Sequence, residues 1–174
     1  MADVRSLIQG DRGLLKRIQA TLPGYKIYRN CEDLRAADNI LRKELAAHLE
    51  QVEENAREAR EDLARGMDFD SLNLIGEVVN LSHKITEKVR HAEQGYAPWI
   101  SGDVRIQEEE LKALYNYDLS MLDEIEKMKR VSESLKTNST DSQKINDMKS
   151  SLKTFEKIFD QRIAKVTKVA QKEV

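Results

Sequence analysis

Apolar residues recur along this chain in steps of three and four, the spacing that lines one face of an α-helix. The longest run goes from Leu34 through Leu41, Leu45, Leu49, Val52, Ala56 and Ala59 to Leu63. It predicts a helix over 31–64, roughly 50 Å long at about 1.5 Å per residue. Asn30 stands where an N-cap is needed, Glu32 and Asp33 suit the positive helix end, and Gly66 stops the run. A second run, Leu74, Val78, Leu81, Ile85, Val89 and Ala92, predicts a helix over 71–94 that opens at Asp70 or Ser71 and ends at Gly95. A third, Leu111, Leu114, Tyr115, Met121, Leu122, Ile125, Met128 and Leu135, predicts 107–136 with three glutamates in its first turn. The last is the most regular: Ile145, Met148, Leu152, Phe155, Phe159, Val166 and Val169 predict a coiled-coil-like helix over 141–172. Arg162 falls there at a step where an apolar residue is due. Near the start, Leu7, Ile8, Leu14, Leu15 and Ile18 predict a helix over 2–22, weakened by Gly10 and Gly13 and ended by Pro23-Gly24.

These elements define the expected fold: all-α, one domain over 1–174, an elongated up-down bundle of about five helices. The last helix can pack within the monomer or against a second copy. The short polar turn over 137–142 favours the monomer.

Composition narrows the picture. Charged residues make up 34% of the chain, which suits long helices with one buried stripe and wet outer faces. Aromatics are only 5%, so Leu, Ile, Val and Ala must fill most of the core. A net charge of −2 provides no field that recruits nucleic acid or an anionic membrane. The single cysteine, Cys31, excludes an internal disulfide and reads as a bystander thiol; a cytoplasmic location is the simplest expectation. Apolar stretches are too short to span a bilayer, and the N-terminus does not look like a secretory signal.

Two segments interrupt the helical pattern in a similar way. One reads Pro-Gly-Tyr-Lys-Ile-Tyr over 23–28 and the other Gln-Gly-Tyr-Ala-Pro-Trp-Ile over 94–100. In an up-down bundle both connections lie at the same end. That end would gather Tyr25, Tyr28, Tyr96 and Trp99, together with Arg35, Asp38, His91 and Asp118, and these eight are the candidate binding residues. Arg42, Arg90, Asp103, Arg105, Tyr115 and Tyr117 belong to the same neighbourhood. The turns over 66–70 and 137–142, at the opposite end, read as plain punctuation.

At these loops the chain resembles a family of uncharacterised prokaryotic helical proteins. The matching residues are Leu22-Pro23-Gly24-Tyr25 with Tyr28, Arg35 with Asp38, Gly95-Tyr96 with Trp99, and Leu114-Tyr115 with Tyr117-Asp118-Leu119. The likeness covers most of 7–125. It implies a helical fold, draws attention to the aromatic end, and carries no activity with it.

Weighed residue by residue, the chain offers little catalytic chemistry. A dinuclear carboxylate bundle needs paired Glu-x-x-His motifs; the chain has none, and Glu44/His48 and Glu87/His91 are spaced by four. Solvated helix faces explain those pairs more simply. His48 reads as a boundary histidine, His83 as exposed, and His91 as a residue that suits a helix C-terminus. Asp118 sits at an apolar step, so it must be paired. It would anchor the 95–107 loop or bind Arg35, Arg42 or Arg90; the other reading is a ligand or metal contact. Asp38 poses the same choice, with Arg35 and Arg42 at hand. Residues 144–174 carry eight Lys or Arg against four Asp or Glu, spread around a helix without a nucleic-acid motif. No phosphate loop, nucleophile elbow or Cys-x-x-Cys is present.

The expectation is therefore a non-enzymatic interaction or scaffold protein, without cofactor or metal, that self-associates through its long helices and docks through its aromatic end. The alternatives are a small-ligand or metal-binding bundle using Asp38, His91 and Asp118, and peripheral membrane association through the last helix.

Overall fold

The computed structural model describes residues 34–92, 108–137 and 141–171, with side chains for 38–92, 113–135 and 141–167. Its four helices are α1 (Leu34–Arg65), α2 (Phe69–His91), α3 (Glu108–Thr137) and α4 (Ser142–Gln171). Their ends fall within three residues of the expected ones. The helix expected over 2–22 lies outside the described residues, as do the loop residues Tyr25, Tyr28, Tyr96 and Trp99.

Successive helices run in opposite directions, but their order around the bundle is not sequential. α1 packs on α2 and α3 on α4, forming two hairpins; the hairpins then meet through α1 on α3 and α2 on α4. Contacts give the directions. Asn55 meets Ser132 far along both α1 and α3, and Glu77 meets Lys149 while Lys88 meets Asp160 on α2 and α4. Helices of different hairpins that touch are thus parallel. Going around the bundle the order is α1, α2, α4, α3, and the chain between α2 and α3 joins helices on a diagonal.

Each helix turns to the axis a seam whose steps alternate between three and four. On α1 it is Asp38, Arg42, Leu45, Leu49, Val52, Ala56, Ala59 and Leu63, and on α4 Ile145, Met148, Leu152, Phe155, Phe159, Arg162 and Val166. The α3 seam is Leu114, Asp118, Met121, Ile125, Met128, Ser132 and Leu135. All these side chains are buried, and the rings of Phe155 and Phe159 lie nearly parallel with centroids 6.3 Å apart. Burial of Leu, Ile, Phe and Met at about 1.5–3 kcal/mol per side chain is what holds the helices together. The α4 seam is used within the chain, against α3 and α2.

On α2 the buried face is rotated from the expected one. Ser71, Ile75, Val78, Ser82, Ile85 and Val89 face inward, while Leu74 and Leu81 are half-buried at the flank. Small polar side chains let α2 lie close to α1. Ser82 donates to the Leu49 carbonyl at 3.5 Å and Thr86 to the Ser82 carbonyl at 2.9 Å, so their hydroxyls are satisfied in the core.

The α1–α2 turn is tighter than a glycine stop suggests. Asp68 N–H donates to the Leu63 carbonyl at 3.2 Å and Met67 N–H to the Ala64 carbonyl at 3.4 Å, the paired bonds of a Schellman cap. The left-handed residue is Met67, at φ 57°, and Gly66 before it is not. Asp68 then caps α2, its carboxylate accepting from Ser71 N–H at 3.1 Å, so the helix opens at Phe69 and not at Asp70 or Ser71. Met67 and Phe69 are 76% and 68% exposed, so this turn is more than punctuation: it holds two large apolar side chains in water.

A non-glycine residue in the left-handed region costs about 1–2 kcal/mol. Met67→Gly removes that cost and adds some unfolded-state entropy, so a net gain of about 0.5–1 kcal/mol is expected. Urea unfolding followed by circular dichroism measures it; an unchanged or lower midpoint would refute the cap geometry.

Candidate functional site

At one end of the bundle α1 begins, α2 ends, α3 begins and α4 ends. At this end the seams change from apolar to charged. Asp38 and Arg42 occupy successive seam positions of α1, Asp118 one of α3, and Arg162 one of α4, and none is more than 6% exposed.

These four side chains form one chain of charge-assisted hydrogen bonds. Arg162 Nε donates to Asp118 Oδ1 at 2.5 Å. Its Nη1 donates to Asp38 Oδ1, across the bundle from α4 to α1. Asp38 Oδ2 accepts from Arg42 Nε at 2.7 Å. Arg42 Nη1 then donates to the main-chain carbonyl of Arg90 at 3.3 Å. That carbonyl belongs to the last turn of α2, where helical carbonyls lack helical donors and the helix dipole is negative. A guanidinium there satisfies both. All four helices are thereby tied at one end.

Geometry explains why arginine fills this role. Its planar fork presents donors in two directions at once, which a lysine ammonium on its flexible stem does not hold fixed. Each buried ion costs several kcal/mol of lost hydration, recovered only when partners are close and well aligned. Tyr115, one turn before Asp118, is also buried. Burial, aided by the Asp118 carboxylate, pushes its phenol up to about 12.

The sequence-predicted site is therefore partly assembled. Asp38 and Asp118 are brought together, through Arg162. Asp118, for which Arg35, Arg42, Arg90 and the 95–107 loop are the expected partners, takes the guanidinium of Arg162, from the C-terminal half of α4. Arg42 does pair with Asp38, while the Arg35 side chain lies outside the described residues. His91 does not join the group. It is exposed and faces Glu87 at 3.2 Å. Its neighbour Arg90 contributes its carbonyl to the network, and its own guanidinium contacts Glu50 and Glu87 on the surface. His48 is half-buried, and burial followed by the charge of Lys129 pushes its pKa down, so the ring is neutral near pH 7. His83 is exposed beside Glu53, at 3.4 Å. Among the described residues no group of three or more His, Cys, Asp or Glu is placed to hold a metal ion.

Away from this end two further groups of polar contacts link the hairpins. Asn55 and Ser132 form a buried bridge of 3.0 Å between α1 and α3, extended by Gln51 to Asn55 at 3.2 Å and Ser132 to the Lys129 carbonyl at 2.9 Å. On the rim of α2 and α4, Glu156 lies 3.1 Å from both Lys84 and Lys88, and Lys88 also reaches Asp160. Half-exposed pairs of this kind contribute about 0–1 kcal/mol each. The depression on the outer side of α4, lined by Lys153, Glu156, Lys157, Asp160, Gln161 and Ala164, is open to solvent.

Compared with models of protein families, with curated proteins and with solved structures, the chain has no significant match.

Two measurements test this account. Arg162→Met takes the guanidinium from Asp118 while Asp38 keeps Arg42. Breaking a buried pair from one side costs about 3–5 kcal/mol, so the urea midpoint should fall steeply; a fall of less than about 1 kcal/mol would mean the network is wet. Tyr115 tests burial at high pH. Its folded pKa lies above the ordinary phenol value, so its contribution is complete below about pH 10 and lost as pH rises toward 12. The loss is on the order of 2 kcal/mol. Tyr115→Phe should flatten the fall of thermal stability over that window, and an unchanged slope would contradict the burial.

Proposed function

We propose that this chain is a non-enzymatic interaction or scaffold protein that self-associates through its long helices and docks a protein partner at its aromatic end, in the cytoplasm. The observation that carries the reading is how the buried charges are spent. Asp38, Asp118, Arg42 and Arg162 bind one another across four helices. That is the arrangement of a clasp, in which carboxylates are committed to guanidinium groups, rather than of a site that presents them to a substrate.

Chain direction supports the position of the docking surface. The chain enters α1 and α3 and leaves α2 at the network end, so the segments with Tyr25, Tyr28, Tyr96 and Trp99 attach there. Aromatic side chains make the strongest interface anchors. The finer architecture proposed with this reading is a fifth helix over 2–22 and a coiled-coil-like last helix. The resemblance to the uncharacterised helical family, which shares the same aromatic loops, belongs to the same proposal. No helix among the described residues is long and apolar enough to cross a membrane.

Trp99→Ala is the direct test. With the full-length protein, helical content and melting temperature should stay close to those of the natural chain. The mass measured by light scattering, or the recovery of a specific partner from native cells, should fall. If Trp99→Ala unfolds the bundle instead, the aromatic end is a structural clasp and the docking reading is wrong.

A further inference from the structure

The α3 and α4 seams are alike in their apolar content but opposite in their one ionised residue. The described seam of α3 has Asp118 as its only formal charge, and that of α4 has Arg162. Both lie in fully buried positions, 0% and 1% exposed, in helices whose remaining seam residues are suited to pack against almost any similar helix. Apolar seams of this regularity do not by themselves choose a partner; a buried polar residue at a seam position does.

Consider each helix beside the same helix of a second copy. Two α4 seams aligned in parallel would set Arg162 against Arg162, with no carboxylate at any described seam position of α4 to receive it. An antiparallel pair would set Arg162 among Leu, Ile, Phe and Met. Two α3 seams would do the same to Asp118. In every such case a charge is desolvated without its counterion, which is the costly outcome. Packing α3 on α4 of the same hairpin is different: it brings Arg162 Nε to Asp118 Oδ1 at 2.5 Å, and the second arm of the guanidinium to Asp38.

We propose that the Asp118–Arg162 pair is a pairing key: it directs the α3 and α4 seams to each other and away from the same helices of a second copy. The key does not depend on whether the aromatic end binds a partner. It does limit how copies of this chain associate, because α3 on α3 and α4 on α4 are the pairings it disfavours.

The test removes both charges together. The full-length double variant Asp118→Leu, Arg162→Leu removes both charges of the pair and leaves Arg42 on Asp38. Natural chain and variant are compared by circular dichroism and by sedimentation equilibrium over a wide range of concentration. The key predicts that the variant keeps its helical content but gains a concentration-dependent species of at least twice the mass seen for the natural chain. A variant with the same single mass overturns the proposal, because the apolar seams then choose correctly unaided. Loss of helical content also overturns it, because the pair would then be a stability element and not a selector. Trp99→Ala reports on the aromatic end and leaves this key intact, so the two ideas fail separately.

Discussion

A guanidinium that has left water must find its hydrogen bonds inside the protein, and Arg162 finds them on two other helices. Asp118 on α3 takes one arm and Asp38 on α1 the other. From Asp38 the chain of bonds continues through Arg42 to the end of α2. Much else in the bundle follows from this constraint. The two hairpins can neither slide nor turn end over end without separating a buried arginine from a carboxylate. The apolar seams below the network supply most of the favourable free energy. The network, whose hydration cost offsets much of its own attraction, fixes the register in which that energy is collected.

The same division appears along the length of the bundle. Asn55 and Ser132 form a second internal polar contact, between the parallel helices α1 and α3, and the lysines and acids of α2 and α4 edge the opposite interface. Within the α1–α2 hairpin the core also holds hydroxyl bonds, from Ser82 and Thr86 to main-chain carbonyls. Specific polar contacts thus occur both where the hairpins face each other, through Arg162–Asp38 and Asn55–Ser132, and within them, through Asp118–Arg162 and Arg42. The turns, being short, already hold the two helices of each hairpin side by side.

Much of the fold was legible in the sequence, because a helix announces itself through a period that folding does not alter. The α1 and α4 seams were read nearly residue for residue. Even the interruptions were visible: Asp118 and Arg162 each stand where an apolar residue is due. Their pairing was not read, because four arginines lie within plausible reach of that end and only packing decides among them. The α2 face was misjudged by one position, since Leu74-Ile75 and Leu81-Ser82 offer two stripes side by side. The order α1, α2, α4, α3 was not legible at all, as a seam specifies its own direction but not its neighbour. The turn at Met67 is hidden in the sequence for a related reason: the glycine beside it suffices to account for a helix stop. Of the candidate residues, Asp38 and Asp118 stand together through Arg162, His91 faces Glu87 on the surface, and the Arg35 side chain and the four aromatics lie outside the described residues.

The contact between Arg162 and Asp38 joins residues 124 apart, the widest separation among the described hydrogen bonds. Each hairpin brings near neighbours in the chain together, a step that closes small loops and is fast; the link between hairpins closes a much larger one. In time as well as in space, then, the bond from α4 to α1 comes after the parts it joins. It can form only once two separate helical pairs exist and have met in the right orientation, which makes it a late checkpoint in the assembly of a chain whose early steps are local.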